Sequence, residues 1–222
     1  MTKENIVTTE EIIVRGGKLY AIFKRCFDFS SSFVVILLCS PLFIVLTLLV
    51  ACSSRGRVIY RDKRVGKHGK TISVYKFRTM VFDAEENIEK YLTAEQLEQW
   101  QKERKLDHDP RITRIGRFLR RTSLDELPQL FNILFGSLSV VGPRPVCERE
   151  LEHFTPVQRE KLLTVKPGIT GCWQVYGRKN ATYENGERQK LEMTYLARRG
   201  FFYDLKLIFL TIPAALKGEG AK

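Results

Sequence analysis

The apolar positions change their rhythm several times along this chain. From Phe33 to Cys52 about 20 residues run almost without a polar break, interrupted by Ser40, Pro41 and Thr47. At ~1.5 Å per residue a helix of that length just covers a bilayer core. Val58-Ile59-Tyr60 and Thr71 to Phe77 then read as two strands, joined across the glycine-containing connection Val65 to Lys70. Ile72 and Val74 would face one way, Tyr75 and Phe77 the other. Helical spacing follows. Asp83 to Glu86 and Thr93 to Gln96 have capping-box spacing, with Ile88, Tyr91 and Leu92 behind the first and Leu97 and Trp100 behind the second. Leu127, Leu130, Phe131 and Leu134 follow the i, i+3, i+4, i+7 pattern, and Gly136 is a natural stop. Leu138 to Val141 is strand-like. The tail from Phe201 to Leu216 is apolar around Asp204 and Lys206, either a core helix or one lying on a membrane surface. The fold class expected is α+β, mostly helical, with a small β-hairpin region, an N-terminal membrane helix and interfacial amphipathic helices.

The long apolar segment admits two readings. Length and hydropathy alone give a single spanning anchor. Yet Lys24 and Arg25 flank one end, while Arg55, Arg57, Arg61, Lys63 and Arg64 flank the other, which places both ends on the cytoplasmic side. Pro41 also lies near the midpoint, where it removes a backbone donor, and Ser40 is placed to satisfy a freed carbonyl. A re-entrant helix broken at Ser40-Pro41, entering and leaving by one face, fits both facts and is the expectation. The segment starts too late for a cleaved signal peptide.

Charge sharpens the picture. Lysine and arginine outnumber acids by 37 to 25, a net charge of +12. The excess is local: Arg55 to Arg78 is basic with the single acid Asp62, whereas Asp83 to Glu103 is mostly acidic. An anionic partner is implied, whether nucleic acid, lipid headgroups or a phosphorylated substrate. No helix-turn-helix, aromatic RNA-binding signature or zinc finger supports nucleic acid. The five cysteines have no paired spacing and the histidines are only three, so neither a zinc site nor a disulfide framework is supported, and the body is read as facing a reducing compartment.

The candidate chemistry centres on Asp125-Glu126. Arg114, Arg117 and Arg121 recur at helical spacing and lead directly into this pair. The helix that follows can start with Ser123 as cap and Glu126 at its third position, or with Leu127 as cap and Pro128 at its first. Either way the acids stand at a helix N-terminus, where the dipole favours anions. As a plain cap such acids contribute ~0.3–1 kcal/mol. Arg144, locked between Pro143 and Pro145, is a candidate clamp for a diphosphate, being planar and bidentate. Lys166 to Gly171 makes another constrained turn.

Taken in order, Lys24-Arg25-Cys26-Phe27-Asp28, Lys76-Phe77-Arg78-Thr79-Met80, Asp109-Pro110-Arg111-Ile112-Thr113, Leu124-Asp125-Glu126-Leu127-Pro128-Gln129, Val141-Gly142-Pro143-Arg144-Pro145 and Lys166-Pro167-Gly168-Ile169-Thr170-Gly171 resemble the bacterial sugar transferase family, the monotopic polyprenyl-phosphate phosphoglycosyl transferases. The resemblance runs from about Leu19 to Leu216 and is to the minimal catalytic form. It implies transfer of a sugar-1-phosphate from a nucleoside diphosphate sugar, a UDP-sugar by expectation, to undecaprenyl phosphate, the initiating membrane step of exopolysaccharide, capsule or glycoprotein synthesis. It further implies Asp125 as covalent nucleophile and Glu126 as a Mg²⁺ ligand. Arg120 and Arg144 belong to the implied phosphate-binding set, and Lys76, Arg78, Arg111 and Arg178 are placed with them as phosphate or substrate binders. The family's Ser-Pro break of a re-entrant helix matches Ser40-Pro41. This chain carries Glu192 where many members have an aspartate.

The resulting expectation is a tail over 1–18, a membrane-associated segment over 19–55, a cytoplasmic catalytic domain over 56–216 and a second tail over 217–222, at the bacterial inner membrane. Two alternatives remain open. The same residues can transfer directly in a ternary complex with Asp125 as base, or the chain can be a membrane-anchored basic adaptor for anions, which leaves Asp125-Glu126 and Arg144 unexplained.

Overall fold

The computed structural model describes residues 13–103, 106, 108–177 and 180–216. In chain order its elements are α1 (Lys18–Leu38), α2 (Ser40–Ser53), β1 (Ile59–Val65), β2 (Thr71–Phe77), α3 (Ile88–Tyr91), α4 (Ala94–Glu103), α5 (Arg114–Thr122), α6 (Gln129–Phe135), β3 (Ser139–Val141), α7 (Glu148–Leu151), α8 (Pro156–Leu162), β4 (Gly168–Thr170), α9 (Glu187–Arg198) and α10 (Phe201–Leu216). This is a mostly helical α+β chain with two small two-stranded sheets, β1 with β2 and β3 with β4. The described residues fall into two compact units, one from 13–37, 62–74 and 129–216, the other from 38–61 and 75–128, so the division passes through the hairpin.

In the first unit, β3 and β4 run parallel, with Ser139 opposite Gly168 and Val141 opposite Thr170. The strands come this close because Gly168 has no side chain; a Cβ there would collide with the backbone of Gly142. Val141, Leu162, Met193, Tyr195, Leu196 and Leu207 pack into the main core over this pair. The polar side of α1 is fastened to the same unit. Lys24 forms an ion pair with Asp204, which also accepts from Tyr20 at 2.7 Å and from Tyr195 at 3.2 Å. Arg25 donates to the carbonyls of Ile133 and Leu134, both at 2.8 Å, at the C-terminal end of α6. Asp28 accepts the N–H of Val140 at 3.0 Å. Lys24 and Arg25 thus do more than flank an apolar run: each is spent on a specific partner.

In the second unit, Leu46 and Val50 of α2 join Phe77 and Leu119 in a smaller core, with Phe43, Val58, Ile115, Leu124 and Leu127 packed around it. The guanidinium of Arg78 donates to the carbonyls of Arg57 at 2.7 Å, Val50 at 3.3 Å and Ser54. It thereby satisfies acceptors that the end of α2 leaves open. Nearby, Asp109 and Arg111 form a two-pronged buried pair, Nε to Oδ1 at 2.9 Å and Nη2 to Oδ2 at 2.7 Å. Thr113 caps α5 by accepting the N–H of Gly116 at 2.9 Å.

The apolar segment breaks where the proline predicts. α1 ends at Leu38, α2 begins at Ser40, and the two axes bend by 67°. Pro41 lies in the first turn of α2, where its missing N–H does no harm. No single described helix is long and apolar enough to cross a membrane, although the bent pair together is. Both arms expose large apolar side chains, among them Phe33, Leu37, Leu38, Ile44 and Leu48.

Several expectations shift in detail. The Thr93 capping box forms, with Gln96 N–H donating to the Thr93 hydroxyl at 3.3 Å and Thr93 N–H to Gln96 Oε1 at 3.1 Å. The Asp83 box does not: that carboxylate accepts instead from the Tyr91 hydroxyl at 2.5 Å, and α3 starts only at Ile88. The turn at Lys166 to Gly171 contains the strand β4, too short and glycine-rich to show alternation. The start of α6 follows neither proposed form, because Ser123 adopts a left-handed conformation (φ 56°) that ends α5, and Leu124–Glu126 make a separate 3₁₀ turn before α6.

Arg111→Met removes one partner of the buried pair and is expected to cost about 3–5 kcal/mol of unfolding free energy. The double variant Asp109→Asn/Arg111→Met should recover a substantial part of it. Denaturant unfolding of the single and double variants checks this; a neutral Arg111→Met would show that the pair does not hold this unit together.

Candidate active site

The Asp125-Glu126 pair is presented by two local devices. The left-handed Ser123 stops α5, and the 3₁₀ turn of Leu124–Glu126 then carries both carboxylates on one short arc. Leu124 and Leu127 on either side pack into the core of the second unit, which anchors the arc. Apolar neighbours in sequence thus hold the acids in place.

Around the acids the same unit gathers cations. Lys76, from the end of β2, lies 3.8 Å from Glu126 through Nζ and Oε1. Arg120, in the last turn of α5, donates through Nε to the Thr79 hydroxyl at 3.0 Å. Thr79 is a fixed post: its carbonyl accepts the N–H of Thr113 at 3.0 Å, and Gly116 lies so close to that carbonyl that any side chain would collide with it. Burial, then the charge of Glu126 beside it, push the Asp125 carboxyl up to about 6, against the pull of Lys76 and Arg120. A carboxyl near 6 is partly desolvated yet still mostly ionised at neutral pH.

Of the residues expected to bind phosphate, Lys76 and Arg120 gather around Asp125 and Glu126. Arg78 and Arg111 belong to the same unit but are engaged otherwise, Arg78 on backbone carbonyls and Arg111 on Asp109 with only 2% of its surface exposed. Both segments belong to the unit that holds the acids. Arg178 lies outside the described residues.

Arg144 belongs to the first unit. Its backbone N–H donates to Glu192 Oε1 at 3.3 Å, and its guanidinium carbon stands 4.9 Å from the ring centre of Trp173. Arg188 stacks on the same indole at 4.6 Å and on Tyr183 at 4.1 Å, and donates to Glu150 at 3.3 Å. Glu150 also pairs with Arg64 at 2.8 Å. Glu192 is 1% exposed, and burial pushes its carboxyl up to about 7 against the pull of Arg188 and of the Arg144 N–H. Trp173, Arg188, Glu150 and Thr79 were not singled out from sequence. The signal present for Arg188 and Glu192 is their i, i+4 spacing on α9; for Thr79 it is the segment Lys76 to Met80.

Among the described residues no group of three or more His, Cys, Asp or Glu side chains is arranged to hold a metal ion. Asp125 and Glu126 offer hard oxygen donors of the kind Mg²⁺ accepts, and that ion ordinarily takes one or two carboxylates together with substrate phosphates and water.

Comparison with known proteins agrees with these features. The family description "Bacterial sugar transferase" matches residues 19–218. The chain is 42% identical over 200 residues to an undecaprenyl-phosphate galactose phosphotransferase of Salmonella typhimurium, covering 89% of this chain and 41% of that protein. It is 42% identical over 200 residues to the exopolysaccharide production protein ExoY of Rhizobium meliloti, covering 89% of this chain and 87% of that one. A UDP-glucose:undecaprenyl-phosphate glucose-1-phosphate transferase of Escherichia coli is 38% identical over 194 residues, with 85% of this chain and 39% of that protein covered. The chain therefore spans about two fifths of the first and third of these relatives and most of the second. With nearly its whole described length inside the match, the chain belongs to the bacterial sugar transferase family.

Proposed function

We propose that this protein transfers a sugar-1-phosphate from a nucleoside diphosphate sugar to undecaprenyl phosphate, starting an exopolysaccharide or related glycan. The names of the relatives support the substrates: two act on undecaprenyl phosphate and one of them on UDP-glucose. The observation that carries the chemistry is the half-desolvated Asp125, next to Glu126 and flanked by Lys76 and Arg120.

In the first step an Asp125 carboxylate oxygen attacks the β-phosphorus of the sugar nucleotide. A phosphorus–oxygen bond forms to the carboxylate and the bond to the bridging oxygen breaks, releasing the nucleoside monophosphate. In the second, a phosphate oxygen of undecaprenyl phosphate attacks the same phosphorus, and the bond to Asp125 breaks to give the lipid diphosphosugar. Dividing the transfer lowers each barrier. Lys76 and Arg120 stabilise charge on the phosphoryl oxygens and ease the approach of an anionic substrate to an anionic residue. Glu126 is the residue that would hold Mg²⁺, completed by the diphosphate and water; the ion supplies charge neutralisation at the leaving group.

The bent pair α1–α2 suits a re-entrant membrane hairpin. At ~1.5 Å per residue the 14 residues of α2 reach ~21 Å, short of a ~30 Å hydrocarbon core. Each arm also has a polar end held by its own unit, α1 by Lys24, Arg25 and Asp28 and α2 by Arg78. Such a hairpin returns the chain to the face by which it entered and keeps the catalytic body on the cytoplasmic side of the inner membrane.

A second reading is favoured by one observation. A carboxyl near 6 is tuned for proton transfer, so Asp125 as general base in a direct transfer is the competing mechanism. Steady-state kinetics separate the two. The covalent route gives parallel, ping-pong lines with both substrates varied, and the direct route gives intersecting ones. Asp125→Asn is expected to reduce nucleoside monophosphate release by at least a thousandfold, an order-of-magnitude expectation for a lost nucleophile; normal turnover would exclude both readings.

The pH profile gives an independent check. kcat/KM for the sugar nucleotide should fall about tenfold per pH unit below about pH 6, as Asp125 becomes protonated in the free enzyme. Lys76→Met should move that limb to higher pH, because the lost cation no longer pulls the carboxyl down. A profile flat between about pH 5 and 8 would contradict the assignment.

A further inference from the structure

Beside α1 in the first unit, cations crowd around one glycine. Gly136 terminates α6 in a left-handed conformation (φ 85°). A Cβ placed on it would lie 3.2 Å from the Nζ of Lys166 and 3.3 Å from the guanidinium carbon of Arg25. Both charges therefore border the same small volume. Burial, then the charge of Arg25, pull the Lys166 amine below its ordinary range; Lys67 adds to the effect and Asp28 opposes it. Asp28 is the acid that bears on the cluster, but it is buried and accepts the N–H of Val140. Arg25 gives two donors to the carbonyls of Ile133 and Leu134, which satisfies its hydrogen bonding and leaves its charge in place. Neither Lys166 nor Lys67 has a salt bridge to a described residue.

A semi-buried lysine held against an arginine is costly unless an anion joins them. The surroundings say where that anion resides. Ile22, Phe23 and Phe29 of α1 are exposed, as is Phe135 at 73%, directly before Gly136. The guanidinium of Arg25 rests on the Phe29 ring at 5.8 Å. Exposed aromatic and aliphatic side chains around a knot of cations are the composition of a bilayer interface, where the abundant anion is lipid phosphate.

We propose that Lys166 and Arg25 form a binding site for the phosphate of an anionic lipid, seated where α1 enters the bilayer, with the charge of Lys67 reinforcing it. The site rests on the membrane reading of α1–α2 and, where its ligand is the prenyl phosphate acceptor, on the proposed transfer as well. Its ligand is either an anionic phospholipid or the prenyl phosphate acceptor, which share the same headgroup chemistry.

The test is native mass spectrometry of the full chain in detergent, titrated with phosphatidylcholine, phosphatidylglycerol or undecaprenyl phosphate. The wild type should retain an anionic lipid in preference to phosphatidylcholine. Lys166→Gln and Lys67→Gln should each weaken that retention roughly fivefold, Lys166→Arg should restore it, and Asp125→Asn should leave it unchanged. Preference for undecaprenyl phosphate alone supports the site as an acceptor site, and retention of both anionic lipids supports it as an anchor on the anionic leaflet. Equal retention of all three lipids by the wild type and the glutamine variants would overturn the proposal. Flotation with phosphatidylcholine vesicles examines the hairpin separately: every variant should float, and a chain that never does overturns the membrane reading and this site with it.

Discussion

The second unit is organised by the close seating of α5 on Thr79. That one residue takes the Thr113 N–H on its carbonyl and the Arg120 guanidinium on its hydroxyl, and the bare backbone of Gly116 lies against it. With both ends of α5 fixed to one post, the left-handed Ser123 turns the chain at a defined place and the Leu124–Glu126 turn follows. Leu124 and Leu127 then enter the core that α2 shares. A flexible acid would cost conformational entropy each time it met substrate; here the surrounding packing has already imposed that order.

Charge management divides into two kinds in this chain. Arg78 is buried with its two terminal nitrogens on backbone carbonyls and its Nε without a partner, and Arg111 is buried on Asp109. Lys76 and Arg120 stand beside the two carboxylates, where they oppose the upward push of burial on Asp125. The net charge of +12 therefore says little about which cations are committed to internal partners.

Much of this was legible from sequence where a local rule applied. Pro41 marked the break between α1 and α2, Thr93 and Gln96 formed the predicted box, and Gly136 ended α6. The Asp125-Glu126 pair stood out because two acids followed a basic helix. Long-range pairings were not legible. Nothing near Lys24 in sequence points to Asp204, and nothing near Gly168 announces that β4 lies along β3. The start of α6 was not legible for a related reason: Ser123 has a side chain suited to an N-cap, but it takes the left-handed conformation that ends α5. The burial of Arg78 and Arg111 and the partners they hold are tertiary features that their place in the sequence does not announce.

The most direct measurement is peptide mapping of the protein after incubation with a sugar nucleotide and Mg²⁺ in the absence of lipid acceptor. The account predicts a sugar-phosphate mass increment on the peptide containing Asp125, lost when undecaprenyl phosphate is added and absent from Asp125→Asn. Full catalytic turnover with no such adduct, or an adduct on another residue, would contradict it.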